Sequence, residues 1–203
     1  MIDRVGSAFG RLACLLVLTA SAAMVDAGGA PLAAAALERT QHTVRYDGAY
    51  VAIDYPGGDV PKDVGVCSDV VVRAYRALGI DLQQAVHEDM TRDFGAYPDR
   101  WGLSRPDPNI DHRRVPNLET YFARQGAALA VTSEPSRFQP GDVVSWRLPN
   151  GLPHIGLVGP NRVPGTQRYL IVHNIGHGPE EADVLLSYEL VGHFRYPSVA
   201  TEP

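Results

Sequence analysis

Short apolar segments between glycines and prolines are the feature of this sequence that most constrains its fold. Three of them, at 142–147, 154–158 and 169–173, follow one another with turn residues between them, and this pattern predicts successive antiparallel strands. A last strand is expected within 184–196. Earlier in the chain, apolar residues recur at helical spacing across 66–78, which predicts an amphipathic helix. A helix followed by a small sheet is typical of an α+β domain.

The segments around these elements are less regular. Residues 28–44 are rich in alanine and then polar, so a poorly ordered lead-in is expected before a single domain at 45–203. Residues 87–116 are polar and contain several prolines, which predicts a long inserted loop. A loop of this length can be a lid, a binding loop or a plain surface excursion. Asn117 is expected to cap a short helix that ends at Gly126.

The N-terminus has the organisation of an export signal. Arg4 and Arg11 precede an apolar run at 12–25, and small residues follow it. The run has about 14 residues, fewer than the roughly 20 that a membrane-spanning helix needs. We therefore expect residues 1–27 to be a signal peptide that is cleaved after Ala27. The exported protein would then work in the periplasm or cell envelope without a membrane span. A retained N-terminal anchor is the alternative.

The charge of the chain argues against nucleic acid as a partner. The 203 residues include 18 Lys and Arg against 23 Asp and Glu, for a net charge of -5. A nucleic-acid-binding protein needs a basic patch, and no basic run here is longer than the pair Arg113-Arg114.

The cysteines point to a chemical role. Of the two, Cys14 lies in the predicted signal, so the exported protein keeps only Cys67 and forms no internal disulfide. Cys67 begins the predicted helix, where a thiol pKa is lowered. His154 opens one predicted strand and His173 closes the next, so the two can serve as base and orienting group for a Cys67 nucleophile. Asn174 competes with His173 for the orienting role, although neighbouring side chains on a strand face opposite ways.

The sequence around these residues resembles the NlpC/P60 family of bacterial cell-wall cysteine peptidases. The matching segments occur in the family's order: Tyr55-Pro56-Gly57-Gly58, Val66-Cys67-Ser68-Asp69, Leu78-Gly79-Ile80, Pro140-Gly141-Asp142, His154-Ile155-Gly156-Leu157 and Ile171-Val172-His173-Asn174. The resemblance implies a papain-like domain whose N-terminal helix carries the nucleophile and packs on a small antiparallel sheet. It also implies a role for Tyr55 near the oxyanion. Two positions depart from the family pattern: Val66 replaces an acidic residue and Asp69 replaces a glycine.

A closer resemblance is to the exported bacterial family called domain of unknown function 1287. It rests on the segments at 65–73, 86–90, 106–114 and 173–176. That family has no established activity, so it sharpens the family assignment and leaves the reaction to be inferred.

Other polar residues are candidates for binding. Asp111, His112 and Arg113 can contact a polar substrate, or they can belong to a solvated loop held by its own turns. Asp69 lies close to the thiol, where its charge opposes thiolate formation, so substrate recognition is its expected role. A zinc site is the remaining alternative, drawn from His87, Glu88, Asp111, His177 and His193. None of these shows a zinc-ligand spacing such as H-E-x-x-H, so we expect no metal and no cofactor.

These features together predict a secreted, metal-independent cysteine peptidase or amidase that cleaves an amide bond in peptidoglycan or a muropeptide. A non-catalytic cell-wall-binding module of the same fold is one alternative. An acyltransferase that uses the same thiol is another.

Overall fold

The computed structural model describes residues 29–197, so the predicted signal peptide and its cleavage site lie outside the described residues. The helices are α1 (Gly29–Glu38), α2 (Cys67–Ala77), α3 (Leu82–Arg92) and α4 (Val115–Arg124). Single turns of 3-10 helix lie at Arg39–Gln41, Phe94–Ala96, Asp111–Arg113 and Pro135–Arg137. The strands are β1 (Arg45–Tyr46), β2 (Val64–Gly65), β3 (Val143–Arg147), β4 (Pro153–Arg162), β5 (Tyr169–His173), β6 (Glu180–Ala182) and β7 (Glu189–Phe194). Within residues 29–197, no helix has both the length and the hydrophobicity to span a membrane.

A five-stranded antiparallel sheet in the order β6-β5-β4-β3-β7 forms the base of the domain, and β1 and β2 make a separate parallel pair. Alternate residues of the strands face opposite sides. On one side, Ile155, Leu157 and Val172 pack into a core with the helices. On the other side, Trp146 and Ile171 belong to a smaller apolar cluster. The predicted α+β class, with the helix that carries Cys67 packed on a small antiparallel sheet, is confirmed.

The alanine-rich segment before the domain is ordered, contrary to expectation. Instead of a loose lead-in at 28–44, α1 packs on α2 and β4. Leu32, Ala33 and Ala36 are buried in that contact. Alanine has the highest helix propensity, and its small side chain lets a helix come close to the sheet.

The expected loop at 87–116 is largely helical at both ends. Helix α3 continues to Arg92 after an N-cap in which the Asp81 carboxylate accepts a hydrogen bond from the Gln83 amide at 3.0 Å. Helix α4 starts at Val115, so Asn117 lies inside the helix rather than at its cap. The buried Asn117 side chain donates to the Asp111 carbonyl at 3.2 Å. The polar residues of 87–116 indicated a loop in the sequence. In the folded protein, tertiary hydrogen bonds satisfy several of these polar groups, so the segment can be helical at its ends.

The strand predictions agree with the structure, with two additions. Strand β4 runs on to Arg162, and the short edge strand β6 was not predicted. Gly126 has a φ of 70° immediately beyond α4, a conformation that favours glycine and ends the helix as expected.

Candidate active site

Cys67 is the first residue of α2 and is 5% exposed. The helix starts there because the Asp69 carboxylate reaches back and accepts a hydrogen bond from the Val66 amide at 2.7 Å. The Ser68 hydroxyl donates to the Arg113 carbonyl at 2.7 Å. The thiol is therefore held at the positive end of a helix whose first turn is fixed on two sides.

The surroundings of the sulfur favour the neutral thiol. Burial raises the pKa of Cys67 to about 11. The backbone N–H groups of Ile155 and Ser68 and the hydroxyl of Tyr46 face the sulfur and oppose this rise, whereas the charge of Asp69 adds to it. Burial, together with the neighbouring Cys67, also raises the pKa of Tyr46 to about 12, so its hydroxyl keeps its proton as a donor.

His154 and His173 form a hydrogen-bonded pair on adjacent strands. Nε2 of His154 lies 3.0 Å from Nδ1 of His173, and the rings meet edge to face with centroids 5.2 Å apart. The sulfur of Cys67 lies against the N–H of Ile155, in the peptide that joins His154 to Ile155. Because His154 Nε2 is engaged by His173, Nδ1 is its remaining ring nitrogen, and no hydrogen bond joins it to Cys67 among residues 29–197.

Aromatic packing shields the His154 ring from solvent. The indole of Trp146 stacks on it with centroids 5.7 Å apart, and Trp146 is itself fixed by a 3.0 Å hydrogen bond from Nε1 to the Leu185 carbonyl. Burial, assisted by the neighbouring His173, lowers the pKa of His154 to about 4. The imidazole is therefore neutral and able to accept a proton at physiological pH.

Gly156 allows the two histidine strands to approach. A Cβ atom at this position would lie 2.9 Å from the Val172 carbonyl oxygen and 3.1 Å from Cβ of His173. Any side chain here would push β5, and with it His173, away from His154. Steric constraints therefore explain why glycine occupies the third position of the His154-Ile155-Gly156-Leu157 segment.

A cleft of about 430 Å³ opens beside this group. Its lining comes from β1, the β3–β4 turn, the start of β4 and the segments after β5 and before β7: Tyr46, Leu148, Pro149, Asn150, Leu152, Pro153, His154, Ile175 and Tyr188. With His154 neutral, none of these side chains is charged at neutral pH. The cleft thus offers His154 and Tyr46 to a substrate group without charge, whereas Cys67 is not among its lining residues.

Of the two residues considered for the orienting role, His173 is the one that contacts the His154 ring. The Asn174 side-chain oxygen accepts hydrogen bonds from the amides of Gly176 and Gly178, at 3.0 and 3.2 Å, and so caps the turn after β5. No hydrogen bond links Asn174 to His154 in the part of the chain that the structure describes.

The expected substrate-binding residues are buried instead. Arg113 pairs with Asp69 at 2.9 Å, with side chains 3% and 4% exposed. Asp111 is 1% exposed and accepts hydrogen bonds from the Asp107 amide and the Arg114 side chain. Burial lowers the pKa of His112 to about 4. Burial and pairing with protein groups thus give these residues a structural role, and a substrate contact at this loop stays a prediction.

Tyr55, expected near the oxyanion, makes no hydrogen bond to Cys67 among the residues that the structure describes. Its ring packs edge to face on His87 with centroids 4.9 Å apart, and 41% of the residue is exposed. Of the other residues considered as zinc ligands, His193 pairs with Asp142 at 2.8 Å. Across residues 29–197, no three His, Cys, Asp or Glu side chains converge as metal ligands.

Comparison with known proteins assigns the family. The profile of the family described as domain of unknown function (DUF1287) matches residues 33–196. The chain belongs to this family. It is 54% identical over 166 residues to the uncharacterized protein YijF of Escherichia coli (strain K12). The match covers 81% of this chain and 80% of YijF. Among solved structures, NlpC1 from Trichomonas vaginalis matches with a TM-score of 0.44 and 15% identity. That match covers 84% of this chain and 45% of NlpC1.

In this DUF1287 protein, sequence reasoning missed Tyr46 as the tyrosine that faces the thiol. The residue is brought there by the parallel pairing of β1 with β2, in which Tyr46 is opposite Gly65, two residues before Cys67. No local motif marks this pairing. Its only sequence signal is a short β-branched and aromatic stretch, Thr43 to Tyr46, ahead of a polar turn.

Proposed function

We propose that this chain is an exported cysteine hydrolase that cleaves an amide bond of peptidoglycan, as an endopeptidase or an amidase. The observation that carries the proposal is the 3.0 Å contact between His154 and His173 beside the peptide against which the Cys67 sulfur lies. A thiol at a helix start, a neutral imidazole and a second group that fixes its ring are the parts that covalent acyl-transfer catalysis requires. The peptidoglycan substrate is supported by the sequence resemblance and by the predicted export signal.

The reaction starts from a neutral pair, since burial raises the pKa of Cys67 to about 11 and lowers that of His154 to about 4. When a substrate carbonyl enters the cleft, the thiol proton passes to Nδ1 of His154 as sulfur attacks the carbonyl carbon. His173 holds the ring through its hydrogen bond to Nε2 of His154.

The negative charge that develops on the substrate oxygen must be stabilised by hydrogen-bond donors. In this proposal the donors are the backbone N–H of Cys67 and the hydroxyl of Tyr46, and the Tyr46 hydroxyl faces the sulfur. One such donor contributes about 2.7 to 4 kcal/mol to transition-state stabilisation in other hydrolases. The intermediate collapses as His154 returns its proton to the leaving amine, and water, deprotonated by His154, then releases the acyl group from sulfur.

The test uses purified muropeptides and mass spectrometry of the products. We expect the wild-type chain to generate fragments whose masses identify the cleaved bond, and Cys67→Ala and His154→Gln to generate none while retaining a wild-type circular dichroism spectrum. His177→Gln is the matched control, because His177 is an exposed histidine in the turn after β5. Undiminished cleavage by Cys67→Ala would refute the assignment.

A non-catalytic wall-binding module is the second candidate, and the burial of Cys67 favours it. This function predicts that the wild-type chain cosediments with purified peptidoglycan sacculi, that Cys67→Ala binds equally well, and that neither releases fragments. The same products analysed by mass also reveal acyl transfer, since the acceptor then adds its mass to the fragment.

A further inference from the structure

The second ring nitrogen of His173 is the starting point. His173 is 1% exposed, and within residues 29–197 its Nε2 atom is buried without a hydrogen-bond partner. A buried imidazole nitrogen without a partner is energetically costly, so its nearest charged neighbour matters. That neighbour is the carboxylate of Glu180, with Oε1 at 3.9 Å from Nε2.

Strand pairing brings the two residues together. His173 closes β5 and Glu180 opens β6, and the two are directly opposite in the antiparallel register. Directly opposed residues project to the same face of a sheet. The Glu180 side chain is 46% exposed, so it has room to move and shorten the separation.

The proton positions follow from the hydrogen bonds of His154. If Nδ1 of neutral His154 accepts the thiol proton, the ring proton of His154 is on Nε2 and is donated to Nδ1 of His173. Nδ1 of His173 then carries no proton, so the proton of a neutral His173 is on Nε2. An N–H at that position points toward the Glu180 carboxylate, which can accept it directly or through one water molecule.

The groups that face the His173 ring favour this arrangement. Burial lowers the pKa of His173, and the charge of Glu180 opposes that effect. From β4, the facing titratable group is His154. The adjacent Glu181 is engaged elsewhere, since its Oε2 atom accepts a hydrogen bond from Asn161 at 2.9 Å.

We propose that Glu180 is a positioning residue that fixes the Nε2–H tautomer of His173 and so completes the line Cys67, His154, His173, Glu180. The proposal rests on the proposed function for its effect on rate, but the tautomer itself is a property of the resting protein. No proton passes to Glu180 in this arrangement. An oxygen of its carboxylate orients His173 as a hydrogen-bond acceptor, and its charge stabilises the positive charge that His154 acquires when it takes the thiol proton.

Nitrogen-15 NMR of the imidazole rings tests the tautomer without any substrate. At pH 7, we expect His173 in the wild-type chain to carry its proton on Nε2, and in Glu180→Ala to become a mixture of tautomers. Glu180→Gln keeps an acceptor oxygen and is expected to retain the wild-type tautomer. Glu181→Ala is the matched control and is expected to match wild type. A wild-type His173 protonated on Nδ1, or a tautomer unchanged in Glu180→Ala, overturns the proposal.

Muropeptide cleavage supplies the kinetic arm. Glu180→Ala is expected to lower kcat by about 10- to 100-fold with little change in KM. Losses of this size occur when a hydrogen-bond partner that orients a functional histidine is removed. Glu180→Gln is expected to restore much of that loss, and Glu181→Ala to have wild-type kinetics. A Glu180-dependent tautomer in a protein that cleaves nothing refutes the proposed function and leaves the positioning role standing. An active enzyme whose kcat is unchanged in Glu180→Ala refutes the positioning role alone.

Discussion

Arg113 donates two hydrogen bonds to the carboxylate of Asp69, from Nε to Oδ1 at 2.9 Å and from Nη2 to Oδ2 at 3.0 Å. The same guanidinium donates to the carbonyls of Asp47 and Ala49, at 3.2 and 3.1 Å, just after Tyr46. One buried side chain thus joins the turn before α4, the start of α2 and the segment that follows β1. The two residues first considered for substrate binding therefore hold the candidate site together.

Replacement of Arg113 by alanine is expected to destabilise the protein by about 3 to 5 kcal/mol, because it leaves the buried Asp69 carboxylate without its partner. Urea denaturation at neutral pH measures the change in the free energy of unfolding. Arg92→Ala is the control: Arg92 also pairs with an aspartate, Asp89, but its side chain is 64% exposed, so a loss of about 1 kcal/mol or less is expected. Equal losses in the two variants would contradict the structural role of Arg113.

Tyr46→Phe is expected to lower kcat by about 100- to 1000-fold, the loss found when one oxyanion donor is removed. The ring remains, so the fold and KM should change little. Tyr55→Phe removes a hydroxyl from the other tyrosine considered for this role and is expected to have wild-type kinetics, because Tyr55 packs on His87. Steady-state kinetics on muropeptides of both variants makes the measurement. A larger effect at Tyr55 than at Tyr46 would reverse the assignment.

Alkylation of Cys67 by iodoacetamide is expected to be slow at pH 7, since burial raises the thiol pKa to about 11 and only the thiolate reacts. Below that pKa the thiolate fraction rises about tenfold per pH unit, so the rate should rise about 100-fold between pH 7 and pH 9. Peptide mass mapping separates Cys67 from Cys14. His154→Gln should alkylate at the wild-type rate at pH 7, because the resting pair is neutral. A marked decrease in that variant would instead indicate a thiolate–imidazolium pair.

The free energy of unfolding is expected to decrease as pH falls from about 6.5 toward 4. Burial lowers the pKa of both His112 and His154 to about 4, whereas an unfolded histidine has a pKa of about 6.5. In this window the unfolded chain binds more protons than the folded one. The free energy of unfolding therefore decreases as the pH is lowered, until both states are protonated. Urea denaturation at several pH values measures the slope.

His112→Gln should flatten that slope, whereas His177→Gln, at an exposed position, should leave it unchanged. Identical slopes in wild type and His112→Gln would show that His112 titrates normally in the folded protein.

Much of the framework is encoded locally and could be predicted from sequence. The spacing of apolar and turn residues over a short window predicts helix α2, strands β3, β4, β5 and β7, and the glycine after α4. Cys67, His154 and His173 could be selected because each lies at the end of such an element. That they act as a catalytic group stays a prediction.

Other features depend on contacts between residues far apart in the chain, which local spacing does not encode. Tyr46 reaches the thiol only through the pairing of β1 with β2, and Arg113 reaches Asp69 across 44 residues of sequence. The protonation of the thiol is likewise a tertiary property, since it depends on how much water the packed domain excludes. The sequence by itself determined the elements marked by regular local spacing and the residue types able to do chemistry. Tertiary structure alone decided which polar groups meet each other and which remain free, because burial and pairing are set only when the elements pack.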